Sequence, residues 1–156
     1  MANEIERKYL IREESWKKEC KASGVPIRQG YLSTLKERTV RVRILGDRAF
    51  LTVKGITVGA TRNEFEYAIP VKDAAEMLDH LCEKPLLEKL RHVVIHQNVA
   101  FEVDVFGGEN AGLVIAEVEL ESENQAVDLP EWIGKEVTSD PRYFNSNLTR
   151  NPFGSW

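Results

Sequence analysis

The chain has little cysteine and no long apolar run, and each shortage excludes a class of protein. Cys20 and Cys82 are its only cysteines, which fits a reduced cytoplasmic protein better than a secreted disulfide scaffold. No apolar stretch approaches the roughly 20 residues that a membrane-spanning helix needs. Charge begins at Glu4, so no signal peptide is expected. We therefore expect one cytoplasmic domain with no membrane partner.

The sequence also lacks two features that proteins use to bind phosphate or nucleic acid. Positive charge is not in excess, since the net charge is -4, and this argues against a nucleic-acid partner held by a broad basic surface. Glycine-rich and Walker-type phosphate loops are missing from the sequence. Any recognition of phosphate must therefore come from side chains.

What the sequence has in abundance is β-strand alternation. Charged and apolar residues alternate with a period of two in at least six segments, and "GD" at 46–47 predicts a hairpin turn. Helices are expected over "SWKKECKAS" and over "DAAEMLDHLCEK", the latter opened by Asp73 with Glu76 as its capping partner. A helical turn is expected in "DLPEWI". The predicted fold class is α+β, with about eight mostly antiparallel strands in one sheet or barrel.

The charges on these strands are sorted by sign. The segments "EIE", "EFE", "EVD" and "EVELE" are acidic, whereas "RVR" and "KLR" are basic. On any one strand, a solvated outer face explains the pattern. Across all strands it does not, because like charges two residues apart repel and a solvated face usually mixes its signs. The alternative is a closed barrel that has its charged faces inside.

A lumen of this kind needs a ligand, because buried charge must be paired or must coordinate metal. Divalent cations such as Mg²⁺ take oxygens from one or two carboxylates and from substrate phosphates. Arginine and lysine side chains bind phosphate oxygens. The sequence therefore predicts a tunnel for a chain of phosphates that carries metal ions.

The ordered motifs resemble the CYTH superfamily, also called triphosphate tunnel metalloenzymes. "EIERKYL" is similar to the ExExK signature, and it is followed by "RQGYL", "RVR", "TVKG", "NEFEYAI", "EKLR", "FEVDVF", "AEVELES" and "DPRYFNSNL". The resemblance covers nearly the whole chain, taken as a single CYTH domain over residues 1–156. It implies a closed eight-stranded antiparallel β-barrel with a few helices outside. The tunnel would bind triphosphate with Mg²⁺ or Mn²⁺, and a C-terminal plug segment would cover one end.

The resemblance also implies a role for each motif residue. Metal ligands would be Glu4, Glu6, Glu117, Glu119 and Asp104. Phosphate oxygens would be bound by Lys8, Arg41, Arg43, Lys54, Lys89, Arg91 and Arg142. The expected catalytic group is Glu64, Glu66, Lys8 and Tyr31. In this scheme Glu64 and Glu66, with Asp104, serve a second metal or orient the attacking water, and Tyr31 faces the tunnel.

The expected reaction is hydrolysis of inorganic triphosphate to pyrophosphate and phosphate, by positioning and charge neutralisation. A class IV-type adenylate cyclase and a thiamine or nucleoside triphosphatase are alternatives that use the same tunnel. The chain has no obvious appended element for a base, which favours inorganic triphosphate. A non-catalytic polyphosphate-binding module is a further alternative. It would be expected to lose metal ligands, whereas all four glutamates, Glu4, Glu6, Glu117 and Glu119, are present.

Two features stay open at this level. Small bacterial members of the family carry lysine after "RY", whereas here residues 144–147 read Phe, Asn, Ser and Asn, so the part that the plug plays in binding is undecided. The outward aliphatic faces need cover from helices or from a second subunit. Of these two arrangements, a homodimer is the one we favour.

Overall fold

The computed structural model describes residues 3–156, and its main element is a closed β-barrel. Nine strands lie within these residues: β1 (Asn3–Ile11), β2 (Val25–Ser33), β3 (Arg38–Leu45), β4 (Arg48–Gly55), β5 (Thr61–Ile69), β6 (Leu87–His96), β7 (Val99–Phe106), β8 (Val114–Glu119) and β9 (Ile133–Glu136). The first eight form a ring of antiparallel neighbours in the order β1-β5-β4-β3-β2-β6-β7-β8 and back to β1. The predicted eight-stranded antiparallel barrel is confirmed.

The ring closes because β1 pairs with different strands along its length. Residues 3–5 of β1 pair with β5, and residues 6–10 pair with β8. Its last residues also pair with β9, which lies outside the ring. A strand at this place was not predicted, and the helical turn expected in "DLPEWI" is wrong. Four residues are too short for alternation to show a strand in a sequence.

Two tight hairpins connect neighbouring strands. The predicted "GD" turn joins β3 to β4, and its first residue, Gly46, has a φ of 61°. Glycine adopts this left-handed backbone without steric cost. The turn between β6 and β7 uses Gln97 and Asn98, with φ values of 48° and 64°. Asparagine tolerates such a conformation better than most residues.

The hydrophobic core lies outside the barrel wall. Helix α2 (Val71–His80) packs Ala74 and Leu78 against Val42 of β3. The short helix α1 (Trp16–Glu19) adds Trp16 to a second cluster that contains Phe101 and Trp132. Apolar side chains therefore cover the outer faces of the strands, and the inner faces are left for charge. None of the helices in residues 3–156 is long and apolar enough to cross a membrane.

Helix α2 begins earlier than predicted. Its N-cap is Pro70 rather than a residue near Asp73, and no side chain caps the helix. The expected capping pair of Asp73 and Glu76 is therefore wrong. Asp73 lies instead in the first turn, where its negative charge interacts favourably with the helix dipole.

The third cluster closes one end of the lumen. Leu87 and Phe106 are in phase with the charged lumen residues of their strands, and they meet Tyr31, Tyr143 and Leu148. Tyr143 and Leu148 belong to the C-terminal segment, which contains helix α3 (Asn145–Arg150). The lumen is therefore apolar at the end covered by this segment, which we call the plug (residues 141–150).

Candidate active site

A cavity of about 200 Å³ occupies the barrel, and fourteen of its nineteen lining residues are charged. Seven are glutamates and seven are lysines or arginines, and all eight strands of the ring contribute to the lining. The charged residues are Glu4, Glu6, Glu64, Glu66, Glu102, Glu117, Glu119, Lys8, Arg41, Arg43, Lys54, Arg62, Lys89 and Arg91. The predicted placement of charge inside the barrel is therefore observed. We call this cavity the tunnel.

All but two of the predicted site residues line the tunnel. The exceptions are Asp104 and Arg142. Tyr31 lines it as expected, and its hydroxyl accepts a hydrogen bond from Gln29 Nε2 at 3.3 Å. Nearly all of the residues predicted from the sequence thus line one cavity, where a single small ligand could contact them.

The glutamates proposed as metal ligands crowd together where β1 meets β8. Glu6 lies directly opposite Glu119 in the pairing of these strands. Burial raises the pKa of Glu6 to about 8, and the nearby carboxylates of Glu117 and Glu4 add to this effect. Like charges that hold a proton between them favour its exchange for a metal cation.

In this arrangement the carboxylates are paired with lysines. Lys54 Nζ lies 2.9 Å from Glu4 Oε2 and 3.2 Å from Glu64 Oε2. Burial by itself would raise the pKa of Glu4, but Lys54, a hydrogen bond with Glu64 and the charge of Arg41 together outweigh it and lower that pKa to about 2. Lys8 Nζ lies 3.8 Å from Glu117 Oε1 in the same way. Each lysine thus holds a carboxylate in its charged form.

The donor set fits a metal ion that arrives with phosphate better than one held in a ready-made cage. Among residues 3–156, no three acidic, histidine or cysteine side chains converge as a metal-binding group. Mg²⁺ does not require such a cage, because it keeps several waters and is usually held by one or two carboxylates plus substrate phosphates. Glu4, Glu6, Glu117 and Glu119 supply oxygen ligands of the right kind.

Strand β3 presents two arginines with unused donors. Nη2 of Arg41 and of Arg43 lie 3.4 Å and 3.6 Å from the same Glu66 oxygen. The buried Nε atoms of both arginines have no hydrogen-bond partner within the described part of the chain. Burial lowers the pKa of Arg43 to about 10, helped by the positive charge of Arg41 and Arg91. Buried donors of this kind are costly unless an acceptor reaches them, which favours an oxyanion ligand.

Asp104 lies behind the tunnel surface, contrary to its predicted place among the metal ligands. Lys89 Nζ is 2.8 Å from Asp104 Oδ2, and Arg91 donates to both Asp104 oxygens at 2.8 Å. Burial opposes ionisation, yet these two cations keep the pKa of Asp104 well below its usual range. Because both oxygens are engaged, Asp104 orients two cations of the tunnel lining instead of presenting itself to a metal.

Arg142 does not reach the tunnel. Its Nη2 lies 2.8 Å from Asp140 Oδ2, and its guanidinium stacks 5.0 Å from the centre of the Trp156 ring. Arg142, predicted to bind phosphate, therefore lies outside the tunnel lining. The plug instead supplies Phe144, Asn145 and Ser146 to the tunnel lining.

Two of these plug residues contact tunnel lysines. Lys8 Nζ lies 5.5 Å from the centre of the Phe144 ring, and Lys89 Nζ donates to Asn145 Oδ1 at 3.4 Å. The plug therefore contributes an aromatic face and an amide oxygen, where the resemblance placed a lysine.

Three lining residues from the strands were not among the predicted site residues. Thr39, Arg62 and Glu102 face the tunnel, yet none received a role. The signal was available, because each stands two residues before a predicted site residue on the same strand. Alternation alone would have included all three.

Comparison with known proteins agrees with this geometry. Residues 2–150 match the model of the CYTH domain. The chain belongs to the CYTH family. This confirms the resemblance inferred from the ordered motifs.

Two relatives of this CYTH chain are close in both sequence and length. It is 51% identical over 153 residues to a protein from Acetivibrio thermocellus named inorganic triphosphatase, covering 98% of this chain and 97% of the relative. It is 39% identical over 149 residues to an inorganic triphosphatase from Nitrosomonas europaea, covering 93% and 95%.

Solved structures place the same fold in further proteins. A crystal structure of an inorganic triphosphatase superposes with a TM-score of 0.67 at 36% identity, covering 96% of this chain and 95% of that chain. A putative adenylate cyclase from Bacillus halodurans gives a TM-score of 0.60 at 16% identity, covering 79% and 84%. At that identity the second likeness concerns the CYTH fold alone.

Proposed function

We propose that this chain hydrolyses inorganic triphosphate to pyrophosphate and orthophosphate, with Mg²⁺ or Mn²⁺ as the cofactor. The observation that carries the proposal is the balance of seven carboxylates and seven cations in one cavity of about 200 Å³. Carboxylates suit the metal and the cations suit phosphate oxygens. Two relatives named inorganic triphosphatase, at 51% and 39% identity, support the choice of substrate.

The metal, when bound, would neutralise charge on the phosphate chain and on the leaving pyrophosphate. Glu4, Glu6, Glu117 and Glu119 are the residues that would hold it. The lysines and arginines of the tunnel bind the remaining phosphate oxygens and stabilise the charge that develops during cleavage. Most of this work is positioning and electrostatics, as phosphoryl transfer requires.

Within the proposed catalytic group, Glu64 suits the orientation of water better than Glu66 does. Glu66 accepts hydrogen bonds from Thr52 and Arg41 at 2.9 Å and 3.4 Å. Glu64 contacts Lys54 Nζ at 3.2 Å, but it shares this ammonium with Glu4. Burial raises the pKa of Glu64, and its neighbour Glu4 raises it further. A carboxylate with a raised pKa accepts a proton from an attacking water more readily. We assign this role to Glu64.

The lining of the tunnel favours inorganic triphosphate over a nucleotide. An adenine pocket needs apolar or aromatic surface, and Tyr31 and Phe144 are the only aromatic residues that line the tunnel within residues 3–156. Lys8 already lies over the Phe144 ring. A bare phosphate chain makes full use of the remaining charged lining.

The test is phosphate release by the purified protein with Mg²⁺ or Mn²⁺, comparing inorganic triphosphate, ATP and thiamine triphosphate. We expect fast turnover of inorganic triphosphate that stops with a chelator and returns with metal. Cyclic AMP is assayed in the ATP reaction. Formation of cyclic AMP, or faster turnover of thiamine triphosphate, would contradict the proposal, and tight binding without turnover would indicate a polyphosphate-binding module.

A further inference from the structure

A second cavity, of about 350 Å³, adjoins the tunnel beside the plug. Thr39, Arg62, Phe144 and Ser146 line both cavities. Its remaining polar lining consists of Thr34, Lys36, Thr57, Thr138, Ser139 and Asn147. We call this cavity the vestibule. Because four residues are shared, an anion in the vestibule would lie next to one in the tunnel.

The vestibule differs from the tunnel in its charge. Lys36 and Arg62 are its charged lining residues, and no carboxylate lines it within residues 3–156. The tunnel, by contrast, has seven glutamates. A cavity without carboxylates offers Mg²⁺ no charged ligand, and its two cations give a favourable field for an anion.

Both vestibule cations lack a carboxylate partner. In the described part of the chain, neither Lys36 nor Arg62 has a carboxylate oxygen within 4.0 Å. Each of the other six cations that line the tunnel has a carboxylate oxygen within 4.0 Å. Arg62 is therefore the tunnel cation without a direct carboxylate contact, although Glu4 is its cross-strand neighbour, and it stands where the two cavities meet.

Arg62 is fixed in this position by neutral acceptors. Its Nε and Nη2 donate to the carbonyl oxygen of Gly55 at 3.1 Å and 2.9 Å, and Nη2 also lies 3.3 Å from Thr39 Oγ1. Thr39 is 3% exposed, so the contact is rigidly placed. A guanidinium held in this way keeps its full charge for a ligand and needs little reorganisation on binding.

We propose that the vestibule is a second oxyanion site, which takes one phosphate group beyond the triphosphate held in the tunnel. This inference rests on the proposed function. Released orthophosphate and the fourth phosphate of a longer linear chain share the required chemistry. Lys36 and Arg62 supply its positive charge, and the Phe144 ring, which lines both cavities, forms part of the boundary between them.

The test uses Lys36→Gln, because Lys36 lines the vestibule and not the tunnel. Lys72→Gln is the matched control, since Lys72 is an exposed lysine on α2, outside both cavities. Two quantities are measured with Mg²⁺: the inhibition constant of orthophosphate and the KM of tetraphosphate. We expect Lys36→Gln to raise at least one of these two constants by about threefold to tenfold more than it raises the KM of triphosphate. A change of this size is expected for the loss of one exposed charge contact.

The two arms distinguish the sources of phosphate. If only the inhibition constant of orthophosphate changes, the occupant of the vestibule is the released product. If only the KM of tetraphosphate changes, the occupant is the fourth phosphate of a longer chain. Equal values for wild type, Lys36→Gln and Lys72→Gln in both assays would overturn the proposal.

A wild-type protein that fails to cleave triphosphate would refute the proposed function without deciding on the vestibule. Orthophosphate binding, followed by ³¹P NMR in wild type and Lys36→Gln, then decides. Tetraphosphate binding is followed in the same way. Weaker binding of either phosphate by the variant supports the vestibule site, and equal binding of both refutes it.

Discussion

Lys89 Nζ lies 2.8 Å from Asp104 Oδ2, and each of these side chains is 1% exposed. Arg91 Nε takes the other carboxylate oxygen at 2.8 Å. One carboxylate behind the tunnel surface thus pairs with two cations of the tunnel lining. Because a buried charge without a partner is costly, the stability of this part of the barrel depends on Asp104.

Asp104→Asn should therefore destabilise the protein and make it more responsive to triphosphate. We expect the free energy of unfolding to fall by about 3 kcal/mol, since buried Lys89 loses its carboxylate partner at 2.8 Å. Arg91 keeps only its longer contacts, to Glu102 at 3.3 Å and Glu117 at 3.9 Å. Triphosphate oxygens can replace the lost carboxylate, so the ligand should raise the Tm of the variant more than that of wild type. Urea unfolding and thermal unfolding with and without triphosphate measure both effects.

A surface pair provides the control for that experiment. Asp79 lies 2.6 Å from Arg28, and its side chain is 51% exposed. Asp79→Asn should leave the free energy of unfolding almost unchanged, because exposed ion pairs contribute little. Equal losses in the two variants would show that Asp104 is no more than another surface carboxylate.

The pKa of Glu6 makes the stability of the metal-free protein depend on pH. That pKa rises from 4.5 to about 8 in the folded state, chiefly because the side chain is buried. Between these pH values the folded protein keeps a proton on Glu6 that the unfolded chain has released. The contribution of Glu6 to the free energy of unfolding is therefore fully present below pH 4.5. It is lost as the pH rises through about 8.

Glu6→Gln isolates this contribution, because glutamine does not titrate. With a chelator present, stability should fall with rising pH more steeply in wild type than in the variant, by up to about 1.4 kcal/mol per pH unit. Urea unfolding across this range of pH measures the difference. Parallel curves for the two proteins would mean that Glu6 ionises normally.

Strand alternation predicted which side chains enter the tunnel, because a strict period of two leaves each residue of a strand only one face. Arg41 and Arg43 are in the tunnel for this reason. Arg62 and Glu102 obey the same rule and were omitted only because roles were assigned from motif positions. Strand alternation therefore predicts more of the tunnel lining than the family motifs do.

Sequence could not predict which partner each charge would choose. Asp104 pairs with Arg91 because β6 and β7 place them directly opposite each other, and that register depends on the fold of the whole barrel. Arg142 is held by Asp140, whose side chain caps the short 3₁₀ turn Pro141–Tyr143. In both cases the charge pairs with a neighbouring side chain of the protein, and sequence motifs do not show such a pairing.

Substitutions on the two faces of the wall test the inside-out barrel directly. Glu4→Gln and Arg43→Ala remove charges from the tunnel lining, and each should weaken triphosphate binding by about tenfold to a hundredfold, as expected for hydrogen bonds to charged groups. The fold should survive, since fewer like charges are forced together. Calorimetric titration of triphosphate with Mg²⁺, on variants with a normal circular dichroism spectrum, measures the loss.

Glu88→Gln and Arg28→Ala are the controls, because these residues lie on β6 and β2 but outside the tunnel lining. They should bind triphosphate as wild type does. If the inner-face variants also bound triphosphate normally, the tunnel would not be the binding site.

The plug should act on the substrate through Asn145, whose Oδ1 accepts from Lys89 Nζ at 3.4 Å. Asn145→Lys adds a cation to the tunnel lining and should lower the KM of triphosphate, whereas Asn145→Asp adds a carboxylate beside Lys89 and should raise it. Each shift should be about threefold to tenfold and smaller at high salt. Asn151→Lys and Asn151→Asp, at an exposed residue just beyond the plug and outside the tunnel, control for charge on the surface. Shifts of the same sign for both Asn145 variants, or equal shifts at Asn151, would show that the plug closes the barrel without contacting the phosphate chain.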